Sequence, residues 1–151
     1  MILPEGKPEA QTHHYVIEGR QAAENAGSGS FDAVELARQP DGHFYADADV
    51  GGASIRLMVD TGASMVVLSA GDARKLGFGW SAAELEYVGR GVNGDVLGKP
   101  VQLGSVTIGD LQANNVEAVI IPEGLDISLL GQSFLSRVEN VQIEGDRMTL
   151  N

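Results

Sequence analysis

Residues 57 to 68 read LMVDTGASMVVL, so a carboxylate, Asp60, stands between two apolar runs with only small residues between it and Met65. Each run has the length and apolarity of a buried strand. An ionised Asp in a dry interior costs far more than it returns unless something pairs with it. Any fold available to this chain must therefore expose the turn at Asp60 or bring a second group to share its charge.

The rest of the sequence favours short strands joined by tight turns. Its 20 glycines among 151 residues are roughly twice the average share and punctuate short apolar runs, the pattern of an all-β chain. FDAVELAR reads as a first strand, followed by a turn at Pro40-Asp41-Gly42. His43, Tyr45, Asp47 and Asp49 then alternate with Phe44, Ala46, Ala48 and Val50, the period of a half-buried strand. Gly51-Gly52 makes a hairpin turn into ASIRLMVD, where Ile55, Leu57 and Val59 share a face. After the DTG turn MVVLS is a buried strand. Ser69 and Asp72 then form a capping box that opens a short helix over AGDARKLG, closed by Gly77. LEYVGRGVNGDVLGKPVQL reads as a hairpin with Asn93-Gly94 as its type I′ turn. VQLGSVTIGDLQANNVEAVII supplies two or three more strands. Leu129-Leu130-Gly131 leads into a second short helix, QSFLSRV, and NVQIEGDRMTL is a terminal hairpin turning at Gly145-Asp146.

One domain over residues 30–151 is the expectation, a size that supports a real core. Residues 1–29 differ: two prolines, scattered charge and QAAENAGSGS read as a flexible arm, in which only HHYVIEG suits a short strand. The formal charge of -11 argues against nucleic acid, which needs a basic footprint, and reads most simply as solubility. The absence of cysteine excludes disulfides and thiol catalysis. No apolar run approaches the roughly 20 residues that span a bilayer, and MILPEGKPEA lacks the features of a signal peptide.

Most catalytic constellations fail on inspection. Ser64 and Ser133 lack the second glycine of a nucleophile elbow. His13 and His14 lie in the arm and His43 beside a turn; with Asp47 and Asp49 they read as solvated residues, and DADVGGASIRLM breaks the calcium-loop pattern. GRGVNG imitates a dinucleotide fingerprint, but no helix follows it. No metal and no cofactor is expected.

Apolar strand, Asp-Thr-Gly-Ala-Ser, apolar strand resembles the aspartic proteases. Gly62 allows a tight turn that places amides near the carboxylate, Ala63 and Ser64 keep the surroundings small, and Thr61 offers a hydroxyl to a partner loop. The likeness continues along residues 31–151. ISLLGQSFLSRV matches the segment that in this clan runs beside the catalytic loop and enters a helix, through Leu129, Leu130 and Gly131. YVGRGVNGDV sits where the flap belongs. The whole is most similar to the single-domain bacterial relatives of retroviral proteases, whose members commonly carry an N-terminal membrane anchor.

The resemblance implies a retropepsin-like acid protease fold with one or two short helices, active as a two-fold symmetric homodimer on protein or peptide substrates. Aspartic proteolysis needs two carboxylates sharing one proton. This chain has one DTG, and Asp126 lacks the following Thr-Gly. The second carboxylate must then be Asp60 of another copy. Asp60, Thr61 and Gly62 are the implied catalytic residues. Ala63, Ser64 and the hairpin residues Gly89, Arg90, Gly91, Val92, Asn93 and Gly94 are the implied substrate contacts. Ala63, where pepsin-like enzymes carry a hydroxyl, implies a mildly acidic to near-neutral optimum. The resemblance also implies a periplasmic or membrane-anchored location, through an anchor absent from this chain. A non-catalytic peptide-binding module on the same fold, and a protease that mainly processes its own HHYVIEG segment, are the alternatives.

Overall fold

The computed structural model describes residues 33–92 and 94–151. The arm expected over residues 1–29, with its HHYVIEG segment, and Asn93 lie outside these residues. In chain order the elements are β1 (Val34–Ala37), β2 (Tyr45–Val50), β3 (Ala53–Val59), β4 (Val66–Ser69), α1 (Ala70–Lys75), a 3₁₀ turn (Ala82–Glu84), β5 (Glu86–Gly91), β6 (Gly94–Ile108), β7 (Leu111–Ile121), β8 (Ser128–Leu130), α2 (Gln132–Leu135), β9 (Val141–Glu144) and β10 (Arg147–Leu150).

The alternation in β2 does what its period requires: Phe44, Ala46, Ala48 and Val50 are buried while Asp47 and Asp49 face solvent. Gly51 and Gly52, at φ +61° and +98°, turn it back into β3 with Val50 opposite Ala53. Six strands then close a ring in the order β2-β3-β8-β4-β7-β6, because β2 pairs back onto β6 through Asp49↔Thr107 and Val50↔Val106. The interior is filled by Leu57, Leu68, Leu103, Ile120 and Leu130, with Phe134 of α2 packed into the same cluster.

VQLGSVTIGDLQANNVEAVII resolves into the second half of β6 and all of β7, turning at Gly109-Asp110. β6 is 15 residues long because it serves two partners: its first part pairs with β5, and from Lys99 onward it pairs with β7. Gly98 marks the change, since a Cβ there would lie 2.8 Å from Ile120 O and from Val119 Cγ2. The β5–β6 turn is one residue earlier than the Asn93-Gly94 pairing predicted. Gly91 pairs with Gly94, so Val92 sits within the turn and Gly94, at φ +115°, is the first residue of β6. Gly94 takes up its left-handed backbone in the strand's opening residue rather than inside the turn.

Ser69 caps α1 by accepting the Asp72 N–H at 3.2 Å, but the reciprocal half of the expected box is made differently. The Asp72 carboxylate, one methylene shorter than the Glu of a full box, accepts from the Ser128 hydroxyl at 2.6 Å, and that hydroxyl oxygen accepts the Ser69 N–H at 3.0 Å. A buried serine of β8 thereby ties the helix start to the strand beside β3. Gly77 ends α1 at φ +93°, with Gly77 N–H donating to Arg74 O and Phe78 N–H to Ala73 O, the double bond of a Schellman motif.

A second sheet, β1-β10-β9, packs Met148 and Leu150 into the same buried cluster. No helix among the described residues is long and apolar enough to cross a membrane.

Tyr45 opens β2 and donates its hydroxyl to Asp41 in the preceding turn, while Arg56 lies over its ring at 4.9 Å. Burial first, then the Asp41 carboxylate, pushes the phenol from 10.0 up to about 12. A pKa raised on folding contributes stability below the unfolded value and loses it as pH rises through the folded one. Thermal unfolding of the wild type is therefore expected to lose stability relative to Tyr45→Phe between pH 10 and about 12. Parallel curves for the two proteins would contradict this.

Candidate active site

The last residue of β3, Val59, pairs in parallel with Leu130 of β8, and the next amide continues the ladder: Asp60 N–H donates to Leu130 O at 3.0 Å. Asp60 is thereby drawn to 0% exposure at the mouth of a loop. The loop folds back over its own carboxylate. Gly62 N–H donates to Asp60 Oδ1 at 2.9 Å and Ala63 N–H to Asp60 O at 3.1 Å. A fixed amide dipole thus faces one of the two carboxyl oxygens.

The segment after β8 clamps the loop from the other side. Gln132 N–H donates to Ala63 O at 2.9 Å and Gln132 Nε2–H to Thr61 O at 3.0 Å. Ser133 accepts the Val66 N–H at 3.0 Å and donates to Glu117 O at 2.7 Å, joining loop, α2 and β7. Gly131 lets these backbones meet: a Cβ on it would stand 2.3 Å from Met65 O and 2.7 Å from Ala63 O. Gln132 and Ser133 were not singled out as site residues from the sequence. Their signal was position alone, directly after the Leu129-Leu130-Gly131 run.

Thr61 is the second buried polar residue of the loop, 7% exposed, and its Oγ1 has no hydrogen-bond partner among the described residues. It forms one wall of a cavity of about 170 Å³ lined also by Gln132, Leu135, Val138, Asn140 and Val141. Ser64 and Gly62 are exposed.

The β5–β6 hairpin contributes a separate apolar surface. Val88 and Val96, with Met58, Met65 and Leu125, pack half-buried against Val67, Val119, Ile121 and Leu129. This surface joins the base of the hairpin to the strands on either side of the Asp60 loop. Gly89 is buried, Val92 at the tip is 86% exposed, and Arg90 pairs across the hairpin with Asp95 at 3.6 Å. Asn93 lies outside the described residues. The structure thus gathers Asp60, Thr61, Gly62 and Ala63 with Leu129, Leu130 and Gly131, and leaves Arg90 and Val92 at a tip in solvent.

Asp47 and Asp49 take ordinary roles. Asp47 pairs with Arg56 at 3.6 Å, and Asp49 accepts the Gly52 N–H at 2.9 Å in its turn. Among the described residues no group of three or more His, Asp or Glu is placed to hold a metal.

Comparison with known proteins gives matches over most of the chain. The family model described as gag-polyprotein putative aspartyl protease matches residues 46–137. An uncharacterized protein of Rickettsia prowazekii is 40% identical over 118 residues, 78% of this chain and 51% of that protein. An uncharacterized protein encoded in the cobV 5′ region of Sinorhizobium is 35% identical over 136 residues, 89% of this chain and 58% of that protein. The chain thus spans little more than half the length of these curated relatives. The crystal structure of a retropepsin-like aspartic protease from Rickettsia conorii superposes with a TM-score of 0.69 at 40% identity, covering 79% of this chain and 89% of that one.

The clamp makes a direct stability prediction. Gly131→Ala forces a methyl onto two carbonyl oxygens and is expected to cost about 3 kcal/mol in denaturant unfolding, the upper range for overpacking. Gly104→Ala, whose added methyl meets nothing within 4 Å, is expected to stay within about 0.5 kcal/mol of wild type. Equal costs for the two would contradict the clamp.

Proposed function

The chain belongs to this gag-polyprotein aspartyl protease family and is retropepsin-like in fold; from that premise we propose that it is an aspartic endopeptidase, assembled when two copies bring their Asp60 residues together. The observation that supports this reading best is the buried Asp60 loop, held between β3 and β8 with the Gly62 amide on Oδ1. A chain that positions one carboxylate this closely, and carries a single Asp-Thr-Gly, is half of a catalytic dyad.

Two carboxylates within about 3 Å cannot both be ionised. In the proposed dimer they share one proton and hold a water between them. The ionised Asp60 takes a proton from this water as it attacks the peptide carbonyl, and the protonated Asp60 of the other copy gives its proton to the carbonyl oxygen. The tetrahedral product collapses as the Asp60 that took the water's proton gives it to the leaving amine. The other Asp60 takes a proton back from a hydroxyl of the product, which restores the dyad with no covalent enzyme intermediate. Thr61, buried beside Asp60, is assigned to bonding across the two-fold axis, where it stiffens both loops. Substrate lies extended along the hairpin and binds through its backbone like an added strand. The apolar surface of Met58, Met65, Val88, Val96 and Leu125 receives its side chains, with Gly89, Arg90, Gly91, Val92, Asn93 and Gly94 closing over it.

Because the dyad titrates as a pair, the pH–rate profile is bell-shaped and its two limbs belong to neither residue alone. With Ala63 in place of a hydroxyl, its maximum is expected in the mildly acidic to near-neutral range. A maximum near pH 2 would contradict that assignment.

Digestion of a diverse peptide mixture between about pH 4 and 7, read by mass spectrometry at two protein concentrations, tests the reading. Asp60→Asn is expected to lose at least about a hundredfold in cleavage, and the wild-type rate per chain to rise with concentration. Cleavage that survives in Asp60→Asn would overturn the assignment. Binding of peptides without cleavage by the wild type would move it to a peptide-binding module.

A further inference from the structure

The chain has no cysteine, so reversible oxidation of its sulfur falls to methionine alone. Of its four methionines, three lie among the described residues. The structure divides these three. Met148 is 0% exposed within the main core. Met58 and Met65 are half-buried, and both pack on the smaller cluster of Val67, Val119, Ile121 and Leu129.

Backbone geometry puts the pair beside the Asp60 loop. Leu57 and Val59 point into the barrel, each 1% exposed. Met58 between them therefore projects from the opposite face of β3, level with Leu129 of β8 in the parallel ladder. Met65 closes the loop on its other side, directly before Val66 opens β4. Gly131 lies against it, since a Cβ on that glycine would stand 2.3 Å from Met65 O. The two thioethers thus flank the loop, one ahead of Asp60 and one after it.

Their other neighbours on this surface, Val88, Val96 and Leu125, are hydrocarbon. A thioether suits such a surface and a sulfoxide does not. The sulfoxide oxygen accepts hydrogen bonds that no side chain of this cluster can donate, and burying it unbonded is unfavourable.

We propose that Met58 and Met65 form a reversible oxidation site that controls this surface, with a peroxide as the oxidant. A sulfur lone pair attacks one oxygen of hydrogen peroxide, and the O–O bond breaks as the S–O bond forms. The departing hydroxide takes the proton from the new S–OH group. The products are a sulfoxide and a water; sulfur loses an electron pair and the peroxide gains it. A methionine sulfoxide reductase reverses the step with a dithiol as reductant. The oxygen then leaves as water and the dithiol closes to a disulfide.

The inference rests on the proposed role of this surface in receiving substrate. An oxidised Met58 or Met65 turns its oxygen to water, which lifts the side chain off the apolar cluster. A polar group then stands where a substrate side chain would pack. Binding of extended apolar peptides weakens, while Asp60 keeps the backbone bonds of its loop. Met148, closed in the core, reacts only when the fold opens.

Hydrogen peroxide at graded doses on the full chain, followed by peptide mapping, reads the order of oxidation. Met58 and Met65 are expected to gain oxygen at least about tenfold faster than Met148, with circular dichroism unchanged. Affinity for an extended apolar peptide is then measured in the Asp60→Asn chain before and after peroxide, so that cleavage does not enter. It is expected to fall at least about tenfold and to return with a methionine sulfoxide reductase. The same chain carrying Met58→Leu and Met65→Leu, swaps of similar volume, should keep whatever affinity it had before peroxide. Met148 oxidised as fast as the pair, an affinity unchanged with both oxidised, or an equal loss in the leucine variant would each overturn the site. A chain that binds no peptide before peroxide would do the same. Loss of binding on oxidation, in a protein whose wild type cuts no peptide, would keep the site and remove the protease reading. Wild-type cleavage that persists with both methionines oxidised would do the reverse.

Discussion

The hydrogen bond from Asp60 N–H to Leu130 O is where the architecture and the chemistry meet. It extends the parallel β3–β8 ladder by one residue beyond Val59 and so fixes where the carboxylate leaves the barrel. Everything that buries Asp60 follows from that placement. β8 is only three residues long and is held by strands on both sides, parallel to β3 and antiparallel to β4. Its register therefore depends on the barrel being closed, which the β2–β6 pairing supplies at the far end of the ring.

The clamp around the loop is made mostly of backbone and of short side chains. Gly131 admits two carbonyl oxygens at distances no Cβ tolerates, Gln132 holds Thr61 and Ala63 by their carbonyls, and Ser133 bridges to β7. Such an arrangement loses little side-chain entropy on folding and leaves little slack. Preorganisation of this kind suits the acid–base role proposed for Asp60, in which a carboxylate displaced by an ångström would not meet both its partner and a water. The cost is a buried polar loop whose remaining need, at Thr61, is met by nothing among the described residues.

Much of this was legible in the sequence, and the parts that were not share a cause. Period-two alternation placed β2 and β3, paired glycines placed their turn, and the Asp-Thr-Gly-Ala-Ser run with the later Leu-Leu-Gly pointed to the loop and to the segment beside it. What escaped reading depends on contacts distant in sequence. The capping box at Ser69 is completed by Ser128, 59 residues away, and no local pattern announces that relay. Gln132 reaches back 71 residues to Thr61. The hairpin turn moved by one residue because Gly94 suits a left-handed backbone both inside a turn and directly after it. The apolar surface of Met58, Met65, Val88, Val96 and Leu125 comes from separate elements and forms only when β5 and β6 fold over β4 and β7.

The proposed half-dyad would account for the buried carboxylate at Asp60, and the proposal requires that two chains act as one unit. Mixing tests this most directly. Wild-type protein at a fixed concentration, high enough for copies to pair, is titrated with the Asp60→Asn variant while peptide cleavage is followed. The account predicts that cleavage falls as wild-type chains are drawn into mixed pairs with a single carboxylate, to about a tenth at a tenfold excess by mass action. A rate indifferent to the added variant would mean that each chain acts alone, and would contradict the shared dyad.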